Sequence, residues 1–303
     1  MMSRAAGIYV EIEIQDDLDH VWRLTQDPAL HLRWDLRFSE IRYLTRPSLA
    51  KPQQFLYETC IGFGMRIRGT GESVDQYSSA QPHAASSLRF ASADPKSLIR
   101  EGSGYWRYLP ANGRLRFLTW YDYKVRFGLA GRLADRLAFR PLMGWATAWS
   151  FDRLRIWAET GQPPESTFAL TLIHAVVRSS IAVIWIWHGV VPKLLYQNID
   201  ERIMLQQAAL PPGMLPSIGI LEILFGVSVL IGWKWRPIFL LNLAVMLLAT
   251  VSVAASSPSY LKAAFDPVTL NLAVVALSLA GWLSSATLAS SSRCRRKPPP
   301  EQT

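Results

Sequence analysis

The chain has 303 residues, room for about two domains at ~150 residues each, and its 32 Lys+Arg against 23 Asp+Glu give a formal charge of +9. Half of the residues are hydrophobic and only 18% are charged, which excludes a disordered chain or a solenoid of charged helices. The charge is unevenly placed: residues 1–165 hold 22 basic and 18 acidic side chains, and residues 166–303 only 10 and 5, so two unlike materials are joined.

From the N-terminus, Ile8, Val10, Ile12 and Ile14 alternate with Tyr9, Glu11 and Glu13, the period of a half-buried strand. A helix follows, capped by Asp16 or Asp17, with Leu18, Val21, Trp22 and Thr25 on one face. Strand patterns then recur over residues 38–45, 53–61, 65–75, 87–93, 102–109 and 114–127, separated by Pro, Gly or Ser turns, which predicts an antiparallel meander. A long helix over residues 129–159 closes this half, with Pro141 as a kink or restart. On it Arg132, Arg136 and Arg140 recur every four residues beside Leu129, Leu133 and Leu137. That pattern suits either an anionic membrane surface or a solvated helix face.

This order, with "DHVWRLTQDPALHLRWD" near the start and "RPLMGWATAWSFDRLRIW" in the last helix, resembles the SRPBCC/START-like helix-grip family of ligand-binding and polyketide-cyclase-like proteins over about residues 5–160. The resemblance implies a curved sheet and a final helix around an elongated apolar cavity for a small hydrophobic ligand, whether lipid, quinone or polyketide-like. Side chains large enough to line it are Trp22, Trp34, Phe55, Tyr57, Phe63, Trp106, Tyr121, Trp145 and Trp149, each of which taken singly suits plain core packing better than ligand contact.

Catalytic residues are not legible. His20, His31 and His83 form no paired constellation in the sequence, and Asp35 and Glu58 read as solvated carboxylates unless they face inward. No Gly-rich phosphate loop or metal-ligand spacing occurs, and Cys60 and Cys294 give neither CxxC nor CxxCH, so no metal site and no electron carrier is expected. Catalysis by this chain alone is not expected.

The linker at 161–167 contains Gly161, Pro163 and Pro164 and leads into four apolar runs, at 168–191, 213–233, 237–258 and 268–289. Each is long enough to cross ~30 Å of hydrocarbon as helix. Lys and Arg gather at one set of span ends, Arg153, Arg155, Lys234, Arg236, Arg293, Arg295, Arg296 and Lys297, against Lys193, Arg202 and Lys262 at the other. This predicts a multi-pass protein of the inner or cell membrane with both termini cytoplasmic. Residues 1–26 carry acidic side chains and no apolar core, so no signal peptide is expected there. Trp185, Trp187, Trp233, Trp235 and Trp282 are expected at the interface, and the basic cluster in 291–303 as a lipid-headgroup clamp rather than a nucleic-acid contact.

Charge at membrane depth is costly. Arg178, His188, Lys193, Glu222 and Asn242 therefore form a candidate intramembrane polar cluster, with Arg178 and Glu222 expected to pair by depth. The strings "RSSIAVIWIWHGVVPKLL" and "GILEILFGVSVLIGW" resemble the DoxX-like four-span membrane family over about residues 170–287, through Arg178, His188, Gly189, Pro192, Lys193, Glu222 and Gly226. DoxX itself is a subunit of a thiosulfate:quinone oxidoreductase, so the resemblance implies contact with a quinone as the possible cofactor, and with a membrane redox partner.

The expected architecture is an α+β helix-grip domain (1–160, antiparallel sheet with a long C-terminal helix) fused to an all-α four-helix transmembrane bundle (168–290) with a basic, Pro-rich tail (291–303). The expected function is a membrane-tethered binding protein for a small hydrophobic ligand. The alternatives are a DoxX-type component of a quinone-linked oxidoreductase and a structural membrane subunit, alone or as a homo-oligomer.

Overall fold

The computed structural model describes residues 7–48, 51–77, 83–262 and 266–299. The chain divides into two compact units, residues 1–167 together with 289–303, and residues 168–288.

The first unit is built on a seven-stranded antiparallel sheet in the order β1-β7-β6-β5-β4-β3-β2. Its strands are β1 (Ile8–Ile14), β2 (Glu40–Tyr43), β3 (Gln53–Cys60), β4 (Arg66–Gln76), β5 (Ala84–Ala91), β6 (Ile99–Ala111) and β7 (Arg114–Val125). Between β1 and β2 run α1 (Leu18–Gln26) and α2 (Pro28–Trp34). Asp17 caps α1 through the His20 amide at 2.6 Å, and Asp27 caps α2, whose Pro28 sits where a missing N–H costs nothing. Asn112 and Gly113, both at positive φ, make the tight turn between β6 and β7.

After β7 the chain turns sharply at Phe127 and Gly128, also at positive φ, into α3 (Gly128–Ala134), a π-helical turn (Asp135–Phe139) and α4 (Arg140–Thr160). The wide π turn lies just before Pro141, where an α-helical carbonyl would clash with the proline ring. α4 ends at Gly161, whose φ of +70° suits glycine. The period-2 pattern of the strands puts Ile8, Val10, Ile12 and Ile14 with Leu115, Phe117, Tyr121 and Tyr123 on one face, where Phe151 and Leu154 of α4 complete the core. On this inner face glycines of one strand receive rings of the next: Tyr57 over Gly69, Phe55 over Gly71, Phe90 over Gly102. A Cβ at any of these three would sit within 2.4 Å of the ring, so the small residues let the sheet curl and the aromatics lie flat.

Residues 289–299 return to this unit. Arg295 pairs with Glu11 in an antiparallel bridge, each amide donating to the other's carbonyl at 2.9 Å, which covers part of the open edge of β1. The Ser290 amide and the Arg293 guanidinium both donate to Asp152 at 2.7 Å, and Cys294 is buried with Sγ 3.1 Å from the Ala148 carbonyl. Burial pushes the Cys294 thiol up to about 12. The cations expected to clamp lipid headgroups are therefore largely engaged with protein: Arg293 with Asp152, Arg295 with Glu11, Arg296 with the Pro141 carbonyl.

The second unit holds four helices long and apolar enough to cross a membrane: Pro164–Leu195, Pro212–Ile231, Ile238–Ser256 and Pro267–Ser284. They comprise α5 (Pro164–His188) with a π-helical end (Gly189–Leu195), α7 (Leu215–Ile231), α8 (Ile238–Ser256) and α9 (Pro267–Ser284). A short helix, α6 (Ile199–Gln207), joins the first two spans. Close approach is made by small residues: a Cβ on Gly189 would lie 2.4 Å from the Gly219 carbonyl, and one on Gly226 2.9 Å from that of Ala182.

Candidate functional site

In the first unit the polar residues converge behind α2. His31 and Asp35 are one helical turn apart in "HLRWD", so both project to the same side, and the His31 Nε2–Asp35 Oδ2 distance is 3.0 Å. Two residues on, Arg37 donates from Nε to Asp35 Oδ1 at 2.9 Å and from Nη2 to Oδ2 at 2.6 Å, a bidentate pair. Asp35 is fully buried. Burial alone would push its carboxyl up, but the Arg37 guanidinium, with hydrogen bonds from Arg37 and His31, holds it well below the usual carboxylate range. The same pairing keeps Arg37 charged against its own burial.

Aromatic rings surround this trio. His31 stacks on Trp34 at 4.9 Å and meets the edges of Phe38 at 5.5 Å and Trp106 at 5.1 Å. Arg37 lies 5.6 Å from the Tyr121 ring, whose hydroxyl is 2.9 Å from Thr147 Oγ1 on α4. Phe38 in turn touches Tyr57, and Tyr57 touches Phe55; both β3 rings are half-buried, and burial pushes the Tyr57 hydroxyl up to about 12. Ser73 on the same inner face is buried, and its hydroxyl has no hydrogen-bond partner among the described residues. A continuous aromatic wall thus runs from the His31–Asp35–Arg37 trio to a half-exposed stretch of sheet. An open depression of about 1180 Å³ on this unit touches none of the trio; most of its lining, including Gln54, Glu72, Arg89, Ser103 and Trp120, alternates with the inner-face residues and points away from α4.

The nine predicted cavity residues do not form one group. Trp34, Trp106 and Tyr121 are buried in the main core and Trp22 packs against it. Phe55 and Tyr57 lie on the inner face, whereas Phe63 is fully exposed at the β3–β4 turn with a φ of +49°. Trp145 and Trp149 stack on each other at 6.1 Å, and Trp149 clusters with Ile156 and Ala289 rather than with the sheet, because α4 buries more than one face. Two carboxylate readings also change. Asp35 is not solvated, and His31 does belong to a paired constellation; the signal was the i, i+4 spacing of His31 and Asp35 together with Asp35-x-Arg37. Glu58 is buried too, bound at 3.0 Å by Arg66 and by Arg68. His20 pairs locally with Asp16 at 2.5 Å.

In the second unit the predicted polar cluster resolves into three networks. Arg178 does not meet Glu222. It donates from Nε to His174 Nε2 at 2.8 Å, to the Val229 carbonyl and to the Trp235 carbonyl at 3.2 Å, and stacks on Phe239 at 4.9 Å. Its charge meets the C-terminal end of α7, where unpaired carbonyls and the helix dipole are negative. Glu222 meets Lys193 instead, at 3.0 Å, and the same ammonium lies 2.9 Å from Glu201 on α6 and donates to the His188 carbonyl. In the third, Trp185 Nε1 donates to Asn242 Oδ1 at 2.7 Å and Asn242 Nδ2 to Ser278 Oγ at 2.6 Å. Trp185 is therefore buried inside the bundle and is no interfacial anchor, while Trp187, Trp233 and Trp235 are exposed.

The DoxX-like family matches residues 182–279. A curated relative, described as the uncharacterized membrane protein YndG of Bacillus subtilis (strain 168), is 49% identical over 187 residues, 61% of this chain and 69% of the relative. The chain belongs to the family of that membrane protein. Its second unit carries the DoxX-like domain, and the protein is an integral membrane protein.

The Lys193 and Asn242 networks lie inside the DoxX-like stretch, and Arg178 and His174 just precede it. The first unit has the helix-grip fold, a curved antiparallel sheet with a long helix across it. Similar solved structures include hypothetical protein jhp0584 of Helicobacter pylori, 14% identical, covering 52% of this chain and 92% of that one at a TM-score of 0.41. A START superfamily protein from Mycobacterium smegmatis is 13% identical, covering 48% and 94% at 0.35, and the ZhuI aromatase/cyclase from Streptomyces sp. R1128 is 13% identical, covering 51% and 98% at 0.35.

Proposed function

We propose that the protein is a membrane-anchored binder of a small, largely apolar molecule with a polar end, held in the helix-grip domain. The observation that carries this reading is the His31–Asp35–Arg37 trio set in an aromatic wall that reaches the half-exposed Phe55 and Tyr57. A buried ion pair with a histidine beside it is costly in a core meant only to pack, and an aromatic lining with a few convergent polar groups is the usual dress of a ligand site. Arg37 and the Ser73 hydroxyl, which has no partner among the described residues, supply donors for a carbonyl, phenol or carboxylate, while the rings take the apolar body. A quinone, a lipid and a polyketide-like aromatic all have this chemistry. In the orientation favoured by the arginine and lysine count, both termini and this domain lie on the cytoplasmic side.

The test uses the full chain in lipid nanodiscs. Native mass spectrometry should find a retained small molecule, and decylubiquinone or anilinonaphthalene sulfonate should quench tryptophan fluorescence more than in Ser73→Phe, which fills the inner face. Absence of retained ligand together with identical responses of the two proteins to both probes overturns the reading.

A second reading rests on Lys193, an ammonium buried between Glu201 and Glu222 at the end of the first span. Such a group can hold a quinone carbonyl, which supports a DoxX-type, quinone-linked role with a membrane redox partner. Quinone reduction in membranes with and without the protein tests it, and unchanged rates with every donor remove it.

A further inference from the structure

The segment from Phe127 to Leu137 leaves an apolar stripe uncovered. Leu129 is 82% exposed, Leu133 59% and Leu137 70%, and their four-residue spacing puts them in one row along α3 and the π turn. Phe127, 59% exposed, stands at the head of that row, set there by the sharp turn with its own φ of +65°. Gly131 fixes the underside, since a Cβ there would collide with the Arg126 carbonyl at 1.8 Å. Four large apolar side chains in a contiguous row are unusual on a water-facing domain.

Charge selects the occupant. Arg132 and Arg136 are exposed beside the leucine row and make no ion pair among the described residues. Asp135, the one acidic residue between Gly128 and Arg140, is turned inward. There it accepts from the Tyr123 hydroxyl at 2.8 Å and from Arg140 Nε at 3.0 Å, while Arg140 also reaches Asp122 at 3.0 Å. The face is therefore apolar in the middle and cationic along one side, with its only carboxylate withdrawn. Arginines flanking a leucine row lie with their stems on the apolar surface and their heads at phosphate level. The chain itself crosses a membrane, so a phospholipid surface is always within reach of this domain.

We propose that the Phe127–Leu137 face docks onto the surface of an anionic phospholipid bilayer, with Phe127 and the leucines entering the headgroup–acyl boundary and Arg132 and Arg136 on the phosphates. This is independent of which ligand the domain holds.

The experiment uses the full chain with Cys60→Ser and Leu133→Cys, labelled with an environment-sensitive nitrobenzoxadiazole dye, in nanodiscs of phosphatidylglycerol or of phosphatidylcholine. Cys294 stays unlabelled because it is buried. The expected result is a blue-shifted dye in phosphatidylglycerol that brominated lipids quench. Reversing both charges (Arg132→Glu with Arg136→Glu) should lower the docking equilibrium constant by at least about fivefold per arginine, and raising salt should weaken docking too. All substituted side chains are exposed, so elution and circular dichroism should match the parent. A dye that is solvent-like in every disc overturns the proposal, as does one shielded but untouched by brominated lipid, which would mean a protein surface covers the face. Equal quenching in both lipids, indifferent to charge reversal, overturns it too.

Discussion

Two arginines, Arg37, largely withdrawn from solvent, and Arg178, fully buried, have their charges met in different ways. In the helix-grip domain Arg37 faces a carboxylate two residues away, Asp35, through two parallel hydrogen bonds. In the DoxX-like domain Arg178 meets no carboxylate among the described residues; the Val229 carbonyl at the end of α7, the Trp235 carbonyl just beyond it and one imidazole accept its hydrogen bonds. Arg153 in the first domain follows the second pattern, donating to the carbonyls of Arg33 and Trp34 at the end of α2 and to that of Pro164. The difference teaches that a buried guanidinium needs a negative potential rather than a particular residue. A carboxylate makes the site sensitive to protons, and a helix end does not.

The largest effect that would break this comparison is expected at Arg178. Alanine there leaves two carbonyls and the His174 ring without donors, each buried group costing about 1–3 kcal/mol, so folded yield and melting temperature in detergent should fall sharply. Lysine should recover only part, because one ammonium cannot reproduce a planar fork. If Arg178→Ala melts like the parent, helix-end carbonyls are not what holds the charge.

Asp35→Asn comes next, at about 3 kcal/mol from stranding a buried guanidinium, read as loss of the first unfolding transition. It should also change the pH profile. A carboxyl held below its ordinary value stabilises the fold fully above about pH 4, the unfolded range, and loses that contribution as pH falls further. The parent should therefore weaken on acidification below about pH 4, and the asparagine variant should weaken less there, keeping only the contribution of the other paired carboxylates. Identical acid profiles would show that the pair does not stabilise the domain.

Smaller effects sharpen the picture within the bundle. Glu222→Ala should destabilise by about 1–3 kcal/mol, because Lys193 keeps Glu201, and by more than Asn271→Ala, whose amide meets only the Thr250 hydroxyl at 3.1 Å. Equal melting of the two would remove the Lys193 network as a structural unit. Asn242→Ala is expected to cost about 0.6 kcal/mol, the usual size of an interhelical hydrogen bond in membranes, despite its two good contacts. A loss several times larger would mean that the Trp185–Asn242–Ser278 chain acts as one network.

Strand alternation, the Pro, Gly and Ser turns and the four apolar runs made both folds legible, because periodicity and length are local properties. Pairing across the bundle was not local. Depth along a span suggested Arg178 with Glu222, but helix rotation and the Gly189–Gly219 approach bring Lys193 to Glu222 instead. Trp149 looked like Trp106 to any rule based on residue type, and only the way α4 buries several faces separates them. The trio at His31 was within reach, since its members span seven residues; what hid it was that burial of Asp35 depends on Trp34, Phe151 and the sheet behind them. The fate of 289–299 depends on a partner almost three hundred residues away, which no local pattern encodes.

The bridge between Glu11 and Arg295 has a consequence for the whole chain. β1 emerges from the ribosome about 280 residues before its edge partner, a wait of roughly 14–56 s at ordinary rates of synthesis, during which that edge is open to strand addition. The bridge also imposes a rule of parity. Residues 11 and 295 can meet only on the same side of the bilayer, so the chain between them must cross an even number of times, and losing or gaining a single span would tear the first domain open rather than merely shorten the second.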